Sequence, residues 1–284
     1  MHIYDGKDKN MENTGNLAAI RVLKESFRNR GMLLKLAKND FKTKYAGSYM
    51  GIMWAFVQPV ITILLYWFVF QVGLRATQND GYPFVLSLTA GLVPWFYFND
   101  AWSGATSSLM EYSFLVKKVV FDVGILPFIK VLSAFFVNIF FSLFMIILFA
   151  CYGYFPGIYL LQVLYCLICI TFLTLGVGYL TAALTVFVRD VKHLLNILLQ
   201  VLMWVTPIMW PVSMIAVDYP WLLRLLKLNP VFYIVQCYKD AMFSAGWFWQ
   251  HPLWSLYFWG LTIFLFIFGT HTFQKMRCHF ADVL

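Results

Sequence analysis

Between Lys130 and Arg189 the chain runs for 58 residues without one Asp, Glu, Lys or Arg. A water-soluble domain carries about 25% charged residues spread along its length. A bilayer-crossing helix takes about 20 apolar residues. The stretch therefore reads as two membrane spans joined by a turn, and YGYFPG at 152–157 supplies the breakers for that turn. The rest of the chain agrees. It is 61% hydrophobic and 12% charged, with a mean hydropathy of +0.73. The fold class expected is an all-α integral membrane protein.

Six transmembrane helices are expected, at about 52–74, 83–109, 126–151, 158–188, 194–215 and 252–269. Pro127 suits the first turn of the third span. Gly176 and Gly178 mark a close backbone approach in the fourth. Two apolar pieces at 221–228 and 231–243, split by Asn229-Pro230, are each too short to cross about 30 Å of hydrocarbon. They read as short re-entrant or interfacial helices on the outer side, between the fifth and sixth spans. RATQNDG at 75–81 reads as an outer turn.

Ahead of the first span, Leu17, Ile20, Leu23 and Phe27 recur at helical spacing behind Asn16 as a possible N-cap. Gly31 interrupts the pattern. It resumes with Leu33, Leu36, Ala37 and Phe41 against Lys35, Lys38 and Lys42. This is a basic amphipathic helix at the cytoplasmic interface, or a soluble helix packed on a partner. The division expected is a cytoplasmic segment at 1–51, a six-helix membrane domain at 52–271 and a tail at 272–284. The beginning of the chain lacks the apolar core of a secretory signal peptide.

Charge sets the orientation. With both termini in the cytoplasm, 16 of the 21 Lys and Arg lie inside, 17 with Lys130, and Arg75, Arg224, Lys227 and Lys239 lie outside. That bias explains the net charge of +8, so no nucleic-acid partner is expected. A carboxylate within a span is expensive, and Asp100 is expected to be paired, as a structural contact between helices or as a substrate group.

Catalytic chemistry is missing. There is no G-x-x-x-x-G-K-[ST] phosphate loop, no H-E-x-x-H and no G-x-S-x-G, and the histidines do not cluster with carboxylates. No catalytic residue and no metal site are expected. The five cysteines form no framework; Cys166 and Cys169, a C-x-x-C inside an apolar run, read as packing residues. Acids for a proton or sodium relay are nearly absent, and no internal repeat stands out. The chain moves or scaffolds something without an energy source of its own.

Several segments together resemble the membrane (permease) subunit of type-2 ABC exporters, in the branch that exports O-antigen, capsule and teichoic acid polysaccharides. They are KYAGSYMGIMWAFVQP with YWFVF, then AGLVPWFYFNDAWSGATSSLMEYSFLVKKVVFDVGILP, VFVRDVKHLLNILLQVLMWVTPIMWP, LNPVFYIVQCYKDAM and the terminal FADVL. The tail resembles O-antigen-type permeases more than teichoic ones. Lys239 departs from the arginine of many relatives, keeping the cation and losing the fork.

The resemblance implies a homodimer in a bacterial plasma (inner) membrane with two copies of an ATPase subunit. ATP and magnesium would sit on that partner, with no cofactor on this chain. Residues 110–122 would be the coupling helix to the ATPase, with Glu111, Lys117 and Lys118 as polar contacts and Phe114 and Leu115 as an apolar anchor. A lipid-linked glycan would enter beside a hinge at Gly47 and Gly51. It would pass aromatic residues Tyr66, Trp67, Phe70, Trp204 and Trp210, which also suit an interfacial aromatic belt. Lys35, Lys38, Lys42 and Lys44 would receive the lipid pyrophosphate or simply obey the charge rule. Two rival readings stay open at this point: an exporter of this fold for a drug or lipid, and a membrane enzyme or scaffold that transports nothing.

Overall fold

The computed structural model describes residues 19–20, 24, 28–73, 82–117, 122–216 and 218–284, and among them it is helical with no strand. The expected outer turn at 75–81, and Asn16, Leu17, Leu23 and Phe27, lie outside the described residues. The main elements are α1 (Arg30–Lys44), α2 (Trp54–Trp67, continued by a wider π-helical turn over Phe68–Gly73), α3 (Phe84–Glu111), α4 (Leu126–Cys151), α5 (Leu160–Phe187), α6 (Val191–Val205), α7 (Pro220–Leu226), α8 (Pro230–Met242) and α9 (Pro252–Met276).

Among the described residues, four helical stretches are long and apolar enough to cross a membrane: Gly51–Gly73, Val123–Cys151, Gly157–Phe187 and Pro252–His279. α3 has 28 residues, about 42 Å at 1.5 Å per residue, but is less apolar. Its position explains the difference. It is the central helix, packed on α4, α5 and α8, with Leu86, Leu88, Ala90 and Leu92 fully buried. Its hydroxyls bond back to their own helix, Thr89 to the Val85 carbonyl, Thr106 to Trp102 and Ser108 to Ala105. A helix shielded by protein and satisfied along its own ladder needs little apolar surface.

α6 is shorter than the 194–215 expected from hydropathy. It ends at Val205 because Pro207 has no N–H to continue the ladder and forces Thr206 into extended backbone (ψ 131°). The Asn229-Pro230 break works as read: Pro230 occupies the first turn of α8, and Asn229 accepts from the Val231 N–H at 3.0 Å. The same asparagine donates to Thr206 Oγ1 at 2.9 Å, and Lys239 donates to the Pro207 carbonyl at 2.8 Å. The short helices α7 and α8 are thus tied to the end of α6.

The reading of the cysteines needs one correction. Cys166 on α5 and Cys237 on α8 form a disulfide, while Cys169 is a buried free thiol. The partners are 71 residues apart in the chain, and the packing of α8 on α5 brings their Cα atoms to 6.5 Å.

Burial is uneven. Half of the apolar window of α5 is buried against 11% for the stretch containing α2. Leu64, Leu65 and Phe68 at the end of α2, and Leu194, Ile197, Val201 and Trp204 on α6, are large exposed apolar side chains.

Candidate functional site

Two polar features sit at the basic end of the helix bundle. The first is a buried charge network. Leu33, Ala37 and Asp40 follow one another at helical spacing, so Asp40 lies on the stripe that α1 buries against α4. It is 4% exposed. A carboxylate there is tolerable only if paired and hydrogen-bonded. Lys130, just inside α4, reaches it at 2.7 Å, and the Tyr112 hydroxyl donates to it at 2.5 Å. Lys130 also pairs with Glu111, the last residue of α3, and its ammonium lies 5.1 Å from the Tyr112 ring centre. Burial, then the bond to Asp40, push the Tyr112 phenol well above its ordinary range. Three separate elements, α1, the end of α3 and the start of α4, share one cation. Arg277 pairs with Asp122 at 2.9 Å and ties the tail to the residues just before α4.

The second feature is a cavity of about 500 Å³ between α2, α3, α4 and α6. Lys44, the last residue of α1, and Asp100 on α3 form an ion pair at its basic end. Burial is the largest single influence and disfavours the Lys44 ammonium, but the charge and hydrogen bond of Asp100, with smaller help from Tyr45 and Asp40, together outweigh it and hold the lysine above its ordinary range. Asp100 is therefore paired, as expected, and its partner comes from the interface helix. Side-chain amides dominate the polar lining: Gln58, Asn99, Asn138, Asn196 and Gln200. Trp54 and Tyr66 supply aromatic faces.

The sequence-proposed residues fall in different places. Tyr66 lines the cavity. Trp67 is half-buried against the core, Phe70 stacks on Phe84 with ring centres 6.0 Å apart, and neither lines the cavity. Trp204 is exposed on α6, and Trp210 donates to its carbonyl at 3.1 Å. Gly47 (φ 89°) and Gly51 (φ 51°) occupy the left-handed region in the turn between Lys44 and α2, next to the cavity wall. At the end of α3 Glu111 joins the charge network, and in the segment after it Leu115 is half-buried and Phe114 stands exposed on a single turn of helix, Ser113–Val116. Lys117 is exposed, and Lys118 lies outside the described residues. Of the basic residues on α1, Lys35, Lys38 and Lys42 are exposed, and Lys44 is engaged by Asp100.

Sequence reasoning counted Lys130 only as a charge near the inner end of the third span and passed over Asp40 and Asn138. Asp40 was legible from its place on the apolar stripe of α1. Asn138 was legible as an amide inside a charge-free run, a signal that a search for charges misses.

The family model for ABC-2 type transporters matches residues 33–243, from within α1 to just past α8, a range that includes both polar features. The O-antigen export system permease protein RfbA of Myxococcus xanthus is 30% identical over 266 residues, which cover 93% of this chain and 99% of that protein. Two proteins of the same name from Klebsiella pneumoniae are 25% and 24% identical, each over 89% of this chain and 95% of its own length. With this match along nearly its whole length, the chain is a multi-pass integral membrane protein of the ABC-2 type transporter family.

Proposed function

We propose that this chain is the transmembrane subunit of an ATP-driven exporter of a lipid-linked polysaccharide, O-antigen, and that it works as a homodimer with two copies of a separate ATPase subunit. ATP and magnesium belong to that subunit. The names of the relatives, matched along nearly the whole chain, support the cargo. The observation that carries the mechanism is the shared cation: Lys130 joins the interface helix α1, the end of α3 and the start of α4. In this reading the spans are α2, α3, α4, α5, α6 with the residues after it, and α9. The basic end lies in the cytoplasm of a bacterial cell, and both termini are on that side. α7 and α8 are the short re-entrant helices of the outer side.

The ATPase grips the turn carrying Phe114. Its closure on ATP moves Tyr112 and Glu111, which adjoin that turn, and through Lys130 moves α1 and α4. α1 ends at Lys44 on the cavity, so motion of the interface helix reaches the Lys44–Asp100 pair directly. The exposed apolar faces of α2 and α6 suit contact with a second copy across the export path. Sugar faces slide on aromatic rings because stacking is weakly directional, as it is for bases on aromatic platforms.

Purification of the tagged chain in mild detergent tests the assembly: an ATP-hydrolysing subunit comes down with it, and a chain that purifies without one contradicts the reading. Phe114→Ala is expected to weaken that association about tenfold or more, as loss of an exposed aromatic anchor does, without lowering the level of the chain. Gly51→Val places a β-branched residue at a left-handed φ where an added Cβ meets nothing within 4 Å, so its effect is on the turn and not on packing. Surface polysaccharide in cells complemented with this variant is expected to fall several-fold at an unchanged chain level on immunoblots. Normal surface polysaccharide reduces the turn to a passive linker.

A further inference from the structure

The Lys130 pairs join α1, α3 and α4. α6, which forms one wall of the cavity through Asn196, Leu199 and Gln200, is not among them. A second set of contacts leads to it through the tail that follows α9. Arg277, in the tight turn Arg277–His279, pairs with Asp122 at 2.9 Å. The Asp122 carboxylate also accepts the Gly124 N–H at 3.1 Å, and the Tyr179 hydroxyl of α5 donates to the Gly124 carbonyl at 2.7 Å. The entry to α4 is therefore held from the tail and from α5 at once.

The other contact of the tail lies three residues on. Phe280 opens a last helical turn, Phe280–Val283, and is fully buried. Its ring meets Phe273 of α9 at 5.3 Å and Phe187, the last residue of α5, at 6.0 Å. Beyond Phe187 the chain becomes extended at Val188 (ψ 98°) and enters α6 at Val191. One short segment thus touches the residue that leads into α4 and the residue that leads towards α6. The two contacts differ in kind. Phe280 buries apolar area, which anchors the tail. The Arg277 and Asp122 side chains remain 31% and 26% exposed, and a partly exposed ion pair adds little to stability. Such a pair sets the position of the tail against the entry to α4.

We infer that the tail is a strut that carries motion of the segment after α3 to α6, and that Arg277 is a positioning residue for that transfer. Movement of the segment after α3 pulls Asp122. Arg277 follows, Phe280 moves with it, and Phe187 passes the shift into α6 and so into one wall of the cavity. The inference rests on the export reading, in which the ATPase grips that segment. It adds a route to α6 separate from the one through Lys130.

The test uses the full chain purified with its ATPase in nanodiscs, read for ATP hydrolysis, alongside surface polysaccharide in cells carrying the same variants. Arg277→Gln is expected to lower surface polysaccharide about fivefold, within the range that substitutions along a coupling route produce. Its ATPase content, hydrolysis rate and thermal midpoint are expected to stay at wild-type values, so that hydrolysis continues without export. Arg277→Lys keeps the cation and is expected to restore export. Asp122→Asn keeps an acceptor for the Gly124 N–H and drops the charge. Its loss of export is expected to match that of Arg277→Gln, and the double variant is expected to lose no more than either, as for two residues that act as one pair. Phe280→Leu keeps an apolar residue in the buried site and removes the ring that meets Phe187, and is expected to lower export at a retained rate of hydrolysis. Normal surface polysaccharide in Arg277→Gln overturns the inference and leaves the export reading standing. Hydrolysis, chain level and export that fall together in that variant show a tail that only packs the fold, and overturn the inference too. A wild-type chain that brings down no ATPase overturns the export reading and this inference with it.

Discussion

Gly269→Val is expected to leave almost no folded chain in the membrane. α5 and α9 cross with their backbones nearly touching at Gly176 and Gly269. A Cβ added at Gly269 would lie 2.3 Å from the Gly176 carbonyl oxygen and 3.2 Å from the Leu180 nitrogen, and one at Gly176 would lie 2.9 Å from the Phe266 nitrogen. These are backbone atoms, which cannot rotate aside. The helices would have to separate, and with them the edge-to-face contacts of Phe172 with Phe266 at 5.9 Å and Tyr179 with Phe273 at 5.3 Å. Lipid is as apolar as leucine, so close packing is what holds membrane helices together. Overpacking costs about 1–3 kcal/mol even where side chains can shift, and here the obstruction is main chain. Gly260→Val is the control on the same helix, because an added Cβ there meets nothing within 4 Å. Size-exclusion profiles of fluorescently tagged variants are expected to show a lost main peak for the first and a normal one for the second.

Lys130→Met is expected to be the most damaging charge substitution. It strands Asp40, which is 4% exposed, and removing one partner of a buried pair costs about 3–5 kcal/mol. The carboxylate must then take up a proton, or α1 must lift from α4. Adding Asp40→Leu removes the stranded charge, and replacing a buried pair by apolar residues is often close to neutral. The double variant is therefore expected to regain most of the lost thermal stability in detergent. It is not expected to regain export, because α1 no longer shares a cation with the end of α3. If the double variant recovers both stability and surface polysaccharide, the network is only a structural plug. If Lys130→Met unfolds at the wild-type temperature, the pair contributes little to the fold.

Much of the helix layout was legible because hydropathy and proline report on local backbone. The third expected span coincides with α4, whose limits are set by Pro127 at one end and the break after Cys151 at the other. The approach at Gly176 was read from small residues and is borne out by α9. Hydropathy misjudged the fifth helix because Met209 and Ile215 keep the apolar run going after Pro207 has ended the ladder. α3 shows the converse: its polar residues suit a helix that faces protein and not lipid, a fact about neighbours that a single segment does not carry. The network and the cavity were mostly hidden for the same reason. Asp40 and Lys130 are 90 positions apart in sequence, and only the packing of α1 on α4 makes them a pair. Asp100 could be recognised as a group needing a partner. The choice of Lys44 depends on where α1 ends. The amides of the cavity come from four helices, and none is unusual in its own segment.

The most direct measurement is the sidedness of lipid-linked polysaccharide in cells lacking this chain. Loss of the surface polysaccharide, with its lipid-linked form retained on the cytoplasmic leaflet and restored to the surface by the wild-type chain, is the expected result. Surface polysaccharide that persists unchanged after deletion contradicts the export function.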